Sequence, residues 1–279
     1  MLAPATALGP RMVPSPRSHP LGRWRSLLIW FELMRNLAVR DVETRYKHSL
    51  LGLYWTIINP LLLALIYTFV FKVVFKAASG PIPYVVFLIT GLTFWNFFAN
   101  GVMSATNSIT GSAGLLAKLY FPRIVLPTAS VLARLIDFGF ALVVTGAFVF
   151  GYHVRLHWSG LFLPVLVLAQ MVFTLGIAYI VAAVNVVLRD TSQITGLLLM
   201  LWVYFCPVMF SAAGHSNALQ TALLINPMGA LIQSERDLLF TGYLTHPTLL
   251  WVAIVWVVFV FVAGVTIFKR LEPLFAEVM

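Results

Sequence analysis

Residues 249–268 read LLWVAIVWVVFVFVAGVTIF, a run without a single charged side chain. About 20 apolar residues in a helix cross the ~30 Å hydrocarbon core of a bilayer, so this run predicts a transmembrane helix. The whole chain of 279 residues has the same character: 61% is hydrophobic, 10% is charged and the mean hydropathy is +0.94. Soluble domains carry roughly 25% charged residues. The composition therefore predicts a polytopic membrane protein.

Apolar intervals elsewhere in the chain predict five further spans. Backbone inside a bilayer must satisfy its own hydrogen bonds, so the spans should be helical and the fold all-α. Most of the 18 Lys and Arg residues fall in segments that share a side with the N-terminus. The positive-inside rule then places both termini in the cytoplasm of a multi-pass protein of the plasma (inner) membrane. The six predicted spans lie at about 50–71, 84–103, 124–150, 161–187, 194–210 and 249–268.

The residues before the first span divide into two parts. Residues 1–26 begin with a proline-rich stretch that has no apolar run, which predicts a disordered cytosolic tail. Residues 27–47 carry an apolar and a charged face at helical spacing, which predicts an amphipathic helix lying on the membrane surface. A cytosolic helix packed on the bundle is the alternative. Residues 48–279 are expected to form one transmembrane domain.

The connection over residues 104–123 lies on the cytosolic side of this topology. Its apolar side chains would be costly to expose to water, so a partner protein is expected to cover them. An ordinary turn between helices is the alternative. The side chains concerned are Leu115, Leu116, Tyr120 and Phe121.

Residues 216–245 are apolar but interrupted by Asn226 and Pro227. Asn226 suits a helix cap and Pro227 suits the first turn that follows. Each half is too short to cross the bilayer. This pattern predicts a re-entrant hairpin on the outer side, which acts either as a gate or as a static lid.

Motifs for catalysis are missing from the sequence. It has no G-x-x-x-x-G-K-[ST] phosphate loop and no His or Cys spacing typical of a metal site, so no catalytic residue, metal ligand or cofactor of its own is expected. The net charge of +9 does not indicate nucleic acid, because no large soluble surface is left for a basic groove. Cys206 alone cannot form an internal disulfide. Arg134 and Asp137, three residues apart in the third span, form either a self-neutralising ion pair or a functional site.

Aromatic side chains gather near span ends or inside spans one, two and five. Ring faces stack on the C–H faces of sugars, and Trp and Tyr also favour membrane interfaces. The set is compatible with a sugar-conducting channel, although each ring alone also fits a core or interface position. Its members are Tyr54, Trp55, Trp95, Phe97, Phe98, Trp202, Tyr204, Phe205 and Phe210.

Several short motifs occur in an order that resembles a known family. They are Arg45-Tyr46-Lys47-His48-Ser49 with Leu51-Gly52 and Trp55; Asn59-Pro60; Tyr84 with Gly91 and Trp95; Lys118-Leu119-Tyr120-Phe121-Pro122-Arg123 with Pro127; Asn185 with Arg189-Asp190; Trp202 with Pro207; and Asn226-Pro227-Met228. Over residues 27–270 the chain resembles the membrane subunits of ABC transporters that export O-antigen and related cell-wall polysaccharides.

This resemblance implies a homodimeric permease that pairs with two copies of a separate cytosolic ATPase, which would bind ATP and Mg. It also implies that the helix 27–47 guards the cytosolic mouth of the channel and that the hairpin around Asn226 and Pro227 gates the outer exit. The residues expected to dock on the ATPase are Leu115, Leu116, Lys118, Tyr120, Phe121, Pro122, Arg123, Arg189 and Asp190.

The resulting hypothesis is an exporter subunit that is not itself an enzyme. ATP-driven closure of the partner would open a channel between two copies for a lipid-linked polysaccharide of the O-antigen, teichoic acid or galactan type. Arg40, Arg45 and Lys47 would make charge-assisted hydrogen bonds to the pyrophosphate of the lipid carrier. The first alternative is an ABC permease that exports a small hydrophobic compound. The second is an intramembrane enzyme acting on polyprenyl lipids, which would need clustered acids or histidines that the sequence lacks.

Overall fold

The computed structural model describes residues 20–46, 54–70, 82–116, 121–211, 221–222 and 225–275, with the backbone alone over residues 20–31, 46, 54–57, 59–60 and 64. Every regular element within these residues is helical, which confirms the all-α prediction. The α-helices are α1 (Pro20–Tyr46), α2 (Tyr54–Tyr67), α3 (Tyr84–Thr106), α4 (Ala113–Leu116), α5 (Val125–Gly151), α6 (Leu163–Val187), α7 (Thr191–Trp202), α8 (Pro227–Arg236) and α9 (Pro247–Leu271).

Four helical segments of the described chain are long and apolar enough to cross a membrane. They include α3, α5, α6 and α9 and correspond to the predicted spans two, three, four and six. The predicted first span, residues 50–71, begins and ends outside the described residues. Its described part is residues 54–70, which include α2, and α2 packs against α3 and α5.

The predicted fifth span is shorter than expected. α7 and the 3₁₀ turn that extends it run only over Thr191–Phe205. At 1.5 Å per residue this is about 22 Å, which is less than the ~30 Å hydrocarbon core. The helix stops because a residue before proline is driven out of the α region, and Cys206 is accordingly extended (φ −116°, ψ 147°) ahead of Pro207. The expected continuation of this helix to residue 210 is therefore wrong.

Helix α1 begins at Pro20, within the region expected to be a disordered tail. Proline is well tolerated in the first turn of a helix, because its missing N–H would have no partner there. Residues 1–19 lie outside the described part. Leu33, Met34 and Leu37 pack into an apolar cluster of the bundle, so the contacts match the alternative of a helix packed on the bundle. The position of α1 relative to a membrane surface stays a prediction.

Helices α6 and α9 approach each other through glycine. A Cβ atom at Gly264 would lie 2.3 Å from the carbonyl oxygen of Gly176, and one at Gly176 would lie 2.8 Å from the backbone of Phe261. Small residues at such crossings let two backbones come close, which is how helices associate where lipid removes the hydrophobic driving force. The α6–α9 pair is therefore built on backbone contact.

The two ends of the bundle are defined by hydrogen bonds between distant segments. At one end, which we call the Arg123 end, Asn185 Nδ2 donates to Thr106 O (2.9 Å) and Arg123 Nη1 donates to Glu272 O (2.9 Å). At the opposite Arg236 end, Ser159 Oγ donates to Leu238 O (2.7 Å). The segments predicted to be cytosolic, around residues 121–123 and 188–190, thus share one end, and α8 lies at the other.

Candidate functional site

Helix α8 begins as the Asn-Pro pair predicted. Asn226 Oδ1 accepts a hydrogen bond from Met228 N (3.2 Å), and Pro227 is the first helical residue. The Asn226 amide also donates to Phe205 O (3.2 Å), which ties the start of α8 to the end of α7. Much of the first half of the predicted hairpin lies outside the described residues, so its re-entrant course stays a prediction.

The guanidinium of Arg236, the last residue of α8, is buried among backbone carbonyls. Its Nη2 donates to Phe87 O (2.8 Å) and Val208 O (2.9 Å), and its Nη1 donates to Pro207 O. Its Cζ atom lies 3.7 Å from the centroid of the Phe87 ring. Pro207 and Val208 follow the broken end of α7, where carbonyls have no helical partners. Arginine supplies several fixed donors and no acceptor, so one side chain joins α3, α8 and the chain after α7.

Gly91 of α3 makes room for this arrangement. A Cβ atom there would lie 1.9 Å from Arg236 Nη2 and 3.2 Å from Val208 O. About two turns earlier, the Tyr84 hydroxyl donates to Met209 O (2.6 Å). Helix α3 therefore holds the chain after α7 both directly and through Arg236.

The two neighbours of Arg236 are also buried acids. Asp237 accepts hydrogen bonds from Gln233 Nε2 (2.9 Å) and Thr245 N (2.7 Å). Glu235 is fully buried, and neither of its carboxylate oxygens has a hydrogen-bond partner among the described residues. Desolvation by burial raises the pKa of Glu235 well above its ordinary 4.5, and the nearby Arg236 charge opposes this only in part. The folded protein therefore keeps this proton to higher pH than the unfolded chain, so the contribution of Glu235 to stability is largest below about pH 4.5 and declines as pH rises.

Sequence reasoning missed this cluster. Arg236 lies within the predicted hairpin on the outer side, and no role was assigned to it from the sequence, whereas its side chain is only 3% exposed. The only available signal was three consecutive charges, Glu235 to Asp237, inside a segment that is otherwise apolar. Three consecutive charges are as typical of a solvated loop as of a buried polar cluster. No local sequence pattern predicts that Arg236 contacts Gly91.

A second charged cluster joins α1 to α5. The predicted Arg134–Asp137 ion pair is present at 3.1 Å, and the same oxygen of Asp137 accepts a hydrogen bond from Arg45 Nη1 at 2.6 Å. Arg45 also pairs with Asp41 at 2.9 Å, and Arg134 Nη2 donates to Ser104 Oγ at 3.3 Å. Of the three predicted pyrophosphate-binding residues, Arg45 thus belongs to this cluster, Arg40 is exposed on α1 and Lys47 lies outside the described residues.

The predicted docking segment lies at the Arg123 end. Leu115, Leu116 and Phe121 are only half-exposed, because they pack against the apolar cluster there. Cover of their remaining exposed surface by a partner stays a prediction. Arg123 is anchored by its hydrogen bond to Glu272 O and lies 5.7 Å from the Phe275 ring. Pro122 is half-buried and Arg189 and Asp190 are exposed, whereas Lys118 and Tyr120 lie outside the described residues.

The predicted sugar-path aromatics separate into two groups. Trp95, Phe97 and Phe98 are 5%, 3% and 0% exposed, so in this structure they are core residues that cannot line a conduit. The reason is that α3 is covered by α5 and α6, and its rings pack on theirs. Tyr204 and Phe205, at the end of α7, are 50% and 65% exposed. Trp202 and Phe210 are half-buried, and the side chains of Tyr54 and Trp55 lie outside the described part.

Comparison with known proteins gives consistent matches over most of the chain. The profile of the family described as ABC-2 type transporter matches residues 32–240. The chain is 34% identical to the O-antigen export system permease protein RfbA of Myxococcus xanthus, over 91% of this chain and 97% of that protein. It is 32% identical to RfbA of Klebsiella pneumoniae, over 89% of this chain and 95% of that protein. The polysialic acid transport protein KpsM of Escherichia coli is 24% identical, over 75% of this chain and 82% of its own length.

Proposed function

The chain belongs to the ABC-2 type transporter family, and on that premise we propose that it is the membrane subunit of an ATP-driven exporter of lipid-linked polysaccharide. The observation that carries the substrate class is the near-complete alignment with O-antigen export permeases at 32–34% identity. The apolar helices agree with a multi-pass protein of the inner membrane. The polymer is of the O-antigen, teichoic acid or galactan type.

Deletion of the gene tests this substrate class. We expect lipid-linked glycan to accumulate on the cytoplasmic side while its synthesis continues, and the full chain to restore surface glycan. Unchanged surface glycan in the deletion strain would favour the alternative, a permease for a small hydrophobic compound. Loss of glycan synthesis itself would favour an enzyme acting on the lipid.

The motor is proposed to be a separate cytosolic ATPase that binds ATP and Mg, two copies of which pair with a dimer of this chain. Support comes from the exposed Arg189 and Asp190, which share an end of the bundle with Phe121 and Arg123. Because Arg123, just before α5, donates a hydrogen bond to Glu272 O after α9, a displacement of this end moves α5 and α9 together. On this proposal the Arg123 end and both termini face the cytoplasm.

A charge reversal at each end of the bundle tests the docking. Arg189→Glu should abolish copurification with the ATPase and uncouple export from ATP hydrolysis. Arg155→Glu is the matched control, because Arg155 is also an exposed arginine but lies in the loop between α5 and α6, at the opposite end. Equal loss of the ATPase in both variants would contradict docking at the Arg123 end.

The conduit is proposed to form between two copies, with Tyr204 and Phe205 as its aromatic contacts to sugar. Both rings are exposed in the single chain and both lie in the 3₁₀ turn that extends α7, a helix that ends early and leaves an apolar exposed face. The Arg236 cluster, next to the end of α7, then supports the outer gate formed around Asn226 and Pro227. Replacing Tyr204 and Phe205 by Leu should slow polymer export without changing the melting temperature, because neither ring is buried.

A further inference from the structure

The charged cluster between α1 and α5 has the geometry of an occupied anion site. Two guanidinium groups from different helices, Arg45 and Arg134, converge on a single oxygen of Asp137, at 2.6 and 3.1 Å. A carboxylate at the meeting point of two arginines holds the position that a phosphate oxygen would take, since arginine binds both anions through the same fork of N–H donors.

We propose that Arg45 and Arg134 together form a diphosphate-binding site, and that Asp137 occupies this site until the headgroup of the lipid carrier displaces it. The proposal rests on the proposed function, because the lipid-linked glycan is the ligand. It adds Arg134 to the binding residues, gives Asp137 the role of an internal competitor and makes the α1–α5 contact dependent on substrate.

Unused hydrogen-bonding capacity supports a larger anion. Arg134 Nε is buried and has no hydrogen-bond partner among the described residues. One carboxylate oxygen serves two guanidinium groups, whereas a diphosphate offers several oxygens and at least two negative charges. The Ser104 hydroxyl, 3.3 Å from Arg134 Nη2, is a further donor beside the site. A diphosphate can therefore satisfy more of these donors than Asp137 does.

The site is accessible and lies on a contact that can open. The side chains of Arg45, Arg134 and Asp137 are 21%, 23% and 18% exposed. Asp137 lies about 18 Å along α5 from its first residue at Val125, taking 1.5 Å per residue. Arg45 is the last residue but one of α1 (Pro20–Tyr46). When a diphosphate replaces Asp137, the direct ion pair between Arg45 and Asp137 is lost, and the polar contact between α1 and α5 then runs through the headgroup held by Arg45 and Arg134.

Direct binding measurements on the full-length protein in detergent test the site. The probes are inorganic pyrophosphate, a polyprenyl diphosphate and, as another lipid phosphate, phosphatidylglycerol. Arg134→Gln should weaken binding of both diphosphates about tenfold or more, because hydrogen bonds to charged groups contribute ~1.5–3 kcal/mol each. Asp137→Asn should strengthen their binding by about the same factor, because it removes the competing charge. Arg155→Gln, in an exposed loop, should bind as the wild type does.

The opposite effects of Arg134→Gln and Asp137→Asn on diphosphate affinity distinguish a binding site from a purely structural ion pair. If Asp137 only neutralises the arginines, Asp137→Asn lowers the melting temperature and leaves diphosphate binding unchanged, which overturns the proposal. Arg134→Gln keeps the Arg45–Asp137 pair and so remains informative if Asp137→Asn does not fold; unchanged affinity in that variant also overturns it. Equal affinity for phosphatidylglycerol and the polyprenyl diphosphate would show a general lipid-phosphate site and refute the assignment.

Measuring glycan export in cells distinguishes failure of this binding site from failure of the proposed function. If the deletion strain accumulates glycan but neither Arg134→Gln nor Asp137→Asn changes the affinity for diphosphate, the binding site is refuted and the exporter function is not. Normal surface glycan in the deletion strain refutes the exporter function, and with it the lipid carrier as the ligand.

Discussion

Replacing Gly91 by alanine should break the Arg236 cluster. The added Cβ would lie 1.9 Å from Arg236 Nη2, and the guanidinium must retreat by about 1.5 Å to reach an ordinary contact of 3.4 Å. That movement removes the Nη2 hydrogen bonds to Phe87 O and Val208 O, now 2.8 and 2.9 Å long. Two buried hydrogen bonds from a charged donor are worth about 3–6 kcal/mol. Alanine recovers at most about 1 kcal/mol of helix propensity, so the expected loss is about 2–5 kcal/mol.

Thermal and denaturant unfolding of the purified protein in detergent measures this loss. Gly146→Ala is the matched control, because Gly146 is also helical and no atom lies within 4 Å of its added Cβ. The control should be neutral or slightly stabilising. We also expect Gly91→Ala to slow glycan export, since the Arg236 end loses the link between α3, α8 and the chain after α7.

A double-mutant cycle decides whether the loss acts through Arg236. In an Arg236→Ala background the clash with the guanidinium is absent and only the 3.2 Å contact with Val208 O remains, so Gly91→Ala should then cost much less, and the two effects should be far from additive. Additive losses, or a Gly91→Ala variant as stable as Gly146→Ala, would refute the reasoning.

Three further changes follow from the same contacts. Gly264→Ala should destabilise the protein by about 1–3 kcal/mol in chemical unfolding, because its Cβ meets the backbone of Gly176 at 2.3 Å; a loss no larger than that of Gly146→Ala would contradict this. Glu235→Gln should flatten the dependence of stability on pH above about 4.5, where the wild type loses up to about 1.4 kcal/mol per pH unit through this group; parallel pH curves would rule this out. Asn226→Ala should cost about 1 kcal/mol of cap energy, and Asn226→Asp, which keeps the acceptor for Met228 N, should recover most of it.

Local patterns predicted the features that depend on neighbouring residues in sequence. Long apolar runs indicated the four span-length helices, since the cost of exposing apolar side chains and unpaired backbone groups depends on composition alone. The cap at Asn226 and the Arg134–Asp137 pair were also predictable, because three or fewer residues separate the partners. Pro207 also predicts that α7 ends before it. The predicted span nevertheless extends to residue 210, because residues 194–210 are predominantly apolar.

Contacts between distant segments escaped prediction. Trp95, Phe97 and Phe98 fit a sugar path by residue type, and only the packing of α5 and α6 on α3 makes them core. Arg45 was expected to be free for an anion, yet its partner Asp137 lies 92 residues away. Hydrophobic periodicity within one segment does not predict contacts between segments this far apart in sequence.

The amino-acid sequence alone determined that the chain is helical, that it lies in a membrane and which family it joins, because these follow from hydropathy and from motifs in order. Only the tertiary structure decided where the charges go. Burying Glu235, Arg236 and Asp237 is tolerable only if carbonyls and donors from other segments meet Arg236 and Asp237, and those carbonyls are contributed by Phe87, Pro207 and Val208. The free energy of a buried charge depends on its surroundings in three dimensions, and no stretch of sequence contains those surroundings.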